Sequence, residues 1–200
     1  ANGFTLKGQG RIADAPALVD VRRAPRQTGE AAITVTLDDA ARAKQNLNTA
    51  GTLTGPISVR FVQPLGGAKS KSVKVEADLA RAAVNGLFPG WVKPAGRPGK
   101  LSFVMHTAAK RDDVELQDFV AESAGFGLRG QAVLNKERKL RRARFTQARI
   151  SPGDDMRLDI ERNGPLMKIV ARGNNLDARP FLKALYEAGG KAKPGEPTDF

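Results

Sequence analysis

Few residues of this chain have the type and spacing that chemistry requires. Gly125-Phe-Gly127-Leu-Arg-Gly130 fits the G-x-G-x-x-G spacing by which a glycine-rich turn cradles a dinucleotide pyrophosphate. That use needs a strand before the glycines and a helix after them, whereas the residues from Leu128 onward alternate apolar and polar as a strand does. Gly99-Lys100 is no phosphate loop either, because Pro94 and Leu101 stand where such a loop needs Gly and Ser or Thr. His106 is the one histidine and there is no cysteine, so neither a zinc ligand set nor a histidine base with a thiol nucleophile can be assembled. The carboxylate pairs Asp38-Asp39, Asp112-Asp113 and Asp154-Asp155 could hold a metal or share a proton, but each falls at a strand end or turn, where Asp bonds the local backbone. The expectation is a protein with no catalytic residues, no metal site and no cofactor.

The remaining chemical signal is charge. Thirty-three Lys and Arg against 21 Asp and Glu leave a formal net charge of +12, which favours polyanionic partners without choosing among them. The densest run is Lys136, Arg138, Lys139, Arg141, Arg142, Arg144 and Arg149, with Phe145 its one aromatic residue. A solvated strand face, an anionic lipid or glycolipid surface, and nucleic acid remain open as readings. Single-strand binding would want more stacking platforms, so nucleic acid is not the expected partner.

The elements that carry these residues are predicted to be mostly strands. Period-two alternation marks Ile33-Thr-Val35-Thr-Leu37, Ile57-Ser-Val59-Arg-Phe61, Val73-Lys-Val75-Glu-Ala77, Leu101-Ser-Phe103-Val-Met105 and Met156-Arg-Leu158-Asp-Ile160 as half-buried antiparallel strands. Strands are predicted near 33–37, 57–62, 73–77, 101–106, 128–134, 142–150, 156–161 and 166–171. Asn135-Lys-Glu-Arg138 reads as a hairpin turn, and Asn163-Gly164 as a second whose loop Pro165 should lengthen. Three short helices are expected: one capped by Asp38 or Asp39, one by Asp78 and carrying Leu79, Ala83 and Leu87, and one after Asp177 with Pro180 in its first turn. Phe88 to Gly99 reads as an ordered Pro/Gly corner anchored by Trp91.

Forty per cent hydrophobic residues suffice for a core, while 21 Gly and 12 Pro favour many short elements over a few long helices. No run approaches the roughly 18 apolar residues of a membrane span. The opening Ala1-Asn-Gly3-Phe4 without Met, and the polar close after Gly189, read as an excised piece with a flexible tail at 189–200.

Internal repetition organises the rest. Gly3-Phe-Thr-Leu-Lys-Gly-Gln9 matches Gly125-Phe-Gly-Leu-Arg-Gly-Gln131 at five of seven positions, with Lys or Arg at a sixth. Strand ends running into an acidic cap recur at Leu37-Asp38-Asp39-Ala40, Ala77-Asp78-Leu79-Ala80 and Leu176-Asp177-Ala178-Arg179. The chain is therefore divided into repeat units at 1–50, 51–100 and 101–188. The expected fold is mainly β: a curved, repeat-built antiparallel sheet, groove-like or sandwich-like.

These repeated Gly-Phe-x-Leu-x-Gly strands, the corner from Leu87-Phe-Pro-Gly-Trp91 to Arg97-Pro-Gly-Lys-Leu101, and Asn175-Leu-Asp-Ala-Arg-Pro-Phe181 resemble the AsmA/YhdP/TamB-like superfamily of large Gram-negative envelope proteins. The resemblance implies a long β-groove in the periplasm, a parent protein anchored in the inner membrane, flanking repeats of the same chain as neighbours, and bridge-like transport of phospholipid. Strand parity supplies the groove candidates: Ile33, Val35, Leu37, Ile57, Val59, Phe61, Val73, Val75, Leu101, Phe103 and Met105. Lys136, Arg138, Lys139, Arg141, Arg142 and Arg144 are the candidates for contact with an anionic membrane surface. The alternative from another class is a closed β-sandwich acting as a basic interaction module for polyanions.

Overall fold

The computed structural model describes residues 2–45, 47, 51–65, 72–107 and 113–189. Asp112 and nearly all of the expected tail lie outside the described residues. Eleven strands form one antiparallel sheet that is not closed: β1 (Phe4–Ile12), β2 (Ala15–Arg23), β3 (Gly29–Leu37), β5 (Ile57–Leu65), β6 (Ser72–Asp78), β9 (Gly99–Thr107), β10 (Val114–Ser123), β11 (Phe126–Leu134), β12 (Leu140–Arg149), β13 (Asp155–Asn163) and β14 (Leu166–Asn175), in that spatial order. Sequence order and spatial order coincide, and most neighbours are joined by short connections; the exceptions are the long segments from Leu37 to Ile57 and from Asp78 to Gly99. A second sheet of three very short strands, β4 (Leu53–Thr54), β7 (Ala83–Asn85) and β8 (Val92–Lys93), is built from the segments between β3 and β9. The sheet passes through all three expected repeat units without interruption.

Among the described residues two helices are present rather than three. Asp38 caps α1 (Asp39–Lys44) by accepting a hydrogen bond from the Ala41 N–H at 2.8 Å. α2 (Arg179–Gly189) begins behind Asp177, which accepts from the Arg179 N–H, and holds Pro180 in its first turn, where a missing N–H costs nothing. The helix expected after Asp78 does not form. Asp78 instead accepts from the Ala80 N–H, a tight turn bonds Ala82 N–H to the Leu79 carbonyl, and 83–85 becomes β7. Burial decides this outcome: Ala82 and Val84 are 0% and 5% exposed in the core, and Gly86 at φ +73° and Gly90 at φ +79° break any helical continuation.

Both hairpin turns fall where the sequence places them, with one difference. Asn135 accepts from the Lys139 N–H through its side chain and joins β11 to β12. The Asn163-Gly164 turn is shorter than expected: Asn163 pairs directly with Leu166. Gly164 takes φ +61°, and Pro165 brings its fixed negative φ to the next position, so a two-residue loop closes without strain.

The corner from Phe88 to Gly99 packs as the sequence implies. Trp91 is 8% exposed and stacks on Phe126 with centroids 4.1 Å apart, and Phe88 meets the same ring at 5.5 Å. Such ring contacts add about 0.5–1.5 kcal/mol each beyond area burial. Lys93, 1% exposed, crosses beneath the corner and donates to the Ala82 carbonyl at 2.7 Å. Burial lowers its pKa from the ordinary lysine value.

Candidate functional site

Residues directly opposite one another in an antiparallel ladder project to the same side, so register identifies each face. One row runs across all eleven strands: Gly10, Ala17, Val35, Val59, Ala77, Leu101, Ala121, Leu128, Ala148, Met156, Gly173. A second runs Gly8, Val19, Ile33, Phe61, Val75, Phe103 on one side of a bulge and Phe119, Gly130, Phe145, Leu158, Ala171 on the other. A third includes Val73, Met105, Leu116, Ala132, Ala143, Ile160 and Ile169. The opposite face carries Lys7, Asp20, Arg60, Glu76, Lys100, Arg129, Arg144 and Asp159 in the alternate positions.

All eleven groove candidates lie on the apolar face, on β3, β5, β6 and β9. Val35, Ile57, Val59 and Val75 are buried; Ile33, Leu37, Phe61, Val73, Leu101, Phe103 and Met105 are half-buried. Cover comes from the segments between β3 and β9 and from α2. Ala41 of α1 packs on Ala15, Ala17 and Val35; Leu53, Leu79 and Ala82 pack on Ile57, Val59 and Val75; and Val84, Phe88, Trp91 and Phe181 pack with Phe126 and its neighbours. Away from this cover the face is bare. On β1, Phe4, Leu6 and Ile12 are 50%, 58% and 46% exposed, and on β14 Ile169 is 59% exposed.

The far half of the face escapes simple parity. In β10 an extra residue, Asp118 at φ +49°, lets Leu116 and Phe119 share a side although they are three apart. In β12 Thr146 does the same for Phe145 and Ala148. Gly130 sits where a Cβ would lie 2.1 Å from the Arg144 carbonyl oxygen, and Phe119 and Phe145 meet at 5.5 Å beside it. The bulges were the missed signal, because period two alone sends half of these residues to the wrong face.

The basic run divides in space. Lys136, Arg138 and Lys139 occupy the exposed β11–β12 turn. Arg141 pairs with Asp113 and Arg144 with Asp159, which also holds Arg172 at 3.0 Å. Among the described residues Arg142 and Arg149 form no ion pair. Arg142, Arg144, Lys168 and Arg172 rim a depression of about 460 Å³ on the polar face, together with Gln131, Asp159 and Glu161. Three surface carboxyls are held below the ordinary aspartate range by hydrogen-bonded cations: Asp14 by Lys44, Asp20 by Arg22 and Asp177 by Arg179.

The other chemistry-bearing residues settle into structural places. Gly125 to Gly130 opens strand β11 and no helix. His106 lies on β9 opposite Ser72 and Glu115. Asp154, 5% exposed, accepts from the N–H groups of Ile150, Ser151 and Asp177. Asp39 accepts from the Gly55 N–H and pairs with the buried Arg42, whose guanidinium also donates to the carbonyls of Leu37, Leu53 and Gly55. Among the described residues no group of three His, Asp or Glu could hold a metal ion, and no helix is long and apolar enough to cross a membrane. No protein-family model, curated protein or solved structure matches the chain.

Proposed function

We propose that the apolar face of the sheet holds phospholipid acyl chains, and that the chain is a segment of a bridge-like envelope protein of the AsmA/YhdP/TamB-like kind, working in the periplasm of a parent anchored in the inner membrane. One observation carries the reading: the apolar face runs through eleven strands to both edges of an unclosed sheet, while the cover reaches only part of it. An apolar surface of this extent, left partly bare, is favourably covered by hydrocarbon at about 25 cal/mol per Å² removed from water. A sheet that curls about that face would make it a groove. The Lys and Arg of the β11–β12 turn then suit an anionic membrane surface.

Photocrosslinking tests it. A benzoylphenylalanine placed at half-buried Phe61 should capture phospholipid from the host envelope, and one placed at Thr34, on the polar face, should not. Equal capture at both sites, or none at Phe61, would reject the reading. The reading of a basic interaction module draws on the unpaired Arg142 and Arg149, and salt-sensitive binding to a polyanion without lipid capture would favour it.

A further inference from the structure

β1 is an edge with few of the usual protections. Its nine residues are all exposed, it pairs on one side only, and its register with β2 is unbroken from Phe4 to Ile12. Edge strands are ordinarily blunted by proline, a bulge or charged side chains; β1 has no proline and no bulge, and its charges, Lys7 and Arg11, lie on the polar face and leave the apolar side of the edge uncharged. Its outward N–H and C=O groups form a ready template for a further strand.

The internal repeat states what that strand should look like. β1 and β11 are both nine residues long, both follow a glycine, and they match at Phe4/Phe126, Leu6/Leu128, Lys7/Arg129, Gly8/Gly130 and Gln9/Gln131. Each then turns back into its successor, β1 into β2 and β11 into β12. β11 is also paired on its other side, by β10, and there Arg129 forms an ion pair with Glu122 while Phe119 stands opposite Gly130. That is the side β1 leaves open. Lys7 faces Asp20 across the ladder, but the Asp20 carboxylate is already engaged by Arg22, and among the described residues Lys7 itself forms no ion pair. Space is present as well: a Cβ at Gly8 would meet nothing within 4 Å.

We propose that the free edge of β1 receives an antiparallel strand of β10-like chemistry from another repeat unit, with an acidic residue beside Lys7 and an apolar residue over Gly8. The donor is not β10 of a second copy, since β10 is paired on both edges. Main-chain hydrogen bonds supply the affinity and the acidic and apolar positions set the register, as in strand addition generally. This inference stands independently of the lipid reading.

The probe is a fluorescent peptide of residues 114–123, the sequence of β10, added to the full chain. It should bind more tightly than a scrambled peptide of equal composition and should slow amide exchange across residues 4–12. Lys7→Glu, at an exposed position, should weaken it about tenfold, and a peptide carrying Glu122→Lys should recover most of that loss. No preference over the scrambled peptide, protection at residues 166–175 instead, or charge changes without effect would overturn the proposal. Self-association that protects residues 4–12 without peptide would overturn it too, by making a second copy the occupant.

Discussion

An Asp placed on the apolar face should act in opposite ways at its covered centre and its bare margin. Val59 is 8% exposed between Val35 and Ala77 and shares a cluster with Ala82 of the cover. Val59→Asp removes about 1.5–3 kcal/mol of side-chain burial and leaves a carboxylate with no partner, for a total of about 4–5 kcal/mol. At roughly 2–4 °C per kcal/mol for a domain of this size, the melting temperature should fall by roughly 10–15 °C. Ile169, opposite Ile160 at the margin, is 59% exposed, so Ile169→Asp should cost within about 1 kcal/mol. It should nevertheless reduce bound lipid, because the charge would lie against hydrocarbon. Scanning fluorimetry gives the melting temperatures, and mass spectrometry of lipid co-purified with each variant gives the occupancy. A Val59→Asp protein that melts like its parent would refute the burial argument. Unchanged lipid in Ile169→Asp, or a parent with none, would refute the acyl-holding face.

Three further outcomes are expected. The buried indole N–H of Trp91 has no hydrogen-bond acceptor among the described residues, so Trp91→Phe should cost about 1 kcal/mol in chemical denaturation, whereas Trp91→Ala, which removes the stack on Phe126, should cost about 3–5 kcal/mol. Changing Arg141, Arg142 and Arg144 to Gln should leave the fold intact and weaken adhesion to anionic vesicles by up to about 1 kcal/mol per charge; most of the loss should come from Arg142, since the other two already pair with Asp113 and Asp159, and a single Arg142→Gln without effect would contradict this. The folded pKa values of Asp14, Asp20 and Asp177 lie below the ordinary 3.8, so their contribution is present above that value and is lost as pH falls through the folded values; carboxyl titration by NMR should find Asp177 returning towards 3.8 in Arg179→Gln.

The near half of the site was legible because β3, β5, β6 and β9 alternate cleanly through the residues that face the cover. The eight predicted strands all lie on observed ones, apart from Ile150, which falls just beyond β12. β1 and β2 were harder to mark: their apolar positions include Gly8, Gly10, Ala15 and Ala17, which carry little hydrophobic contrast. β10 was hidden by Asp118, whose extra step breaks the alternation of Val114-Glu-Leu116 before it resumes at Phe119. The false helix after Asp78 had good local credentials, a cap and a spaced Leu79, Ala83 and Leu87. Burial of Ala82 and Val84 against the large sheet, a tertiary effect, outweighed that local preference.

The bulges also bear on what the apolar face is for. The two at Asp118 and at Thr146 each restore an apolar side chain to the face that strict alternation would have sent to the polar side. Phe119 and Phe145 are thereby brought together across Gly130, a position with no room for a Cβ. A dry core under the Trp91 corner would be complete once Phe126, Leu128 and Ala148 were covered. Continuity beyond that point, to Ile169 at one edge and to Phe4 and Leu6 at the other, contributes little to such a core, since these side chains stay half or more exposed. It does extend one hydrocarbon-compatible surface from edge to edge of the sheet. The same continuity is what a strand added at β1 would prolong, because Phe4, Leu6 and Ile12 would then lie inside the face and no longer at its margin.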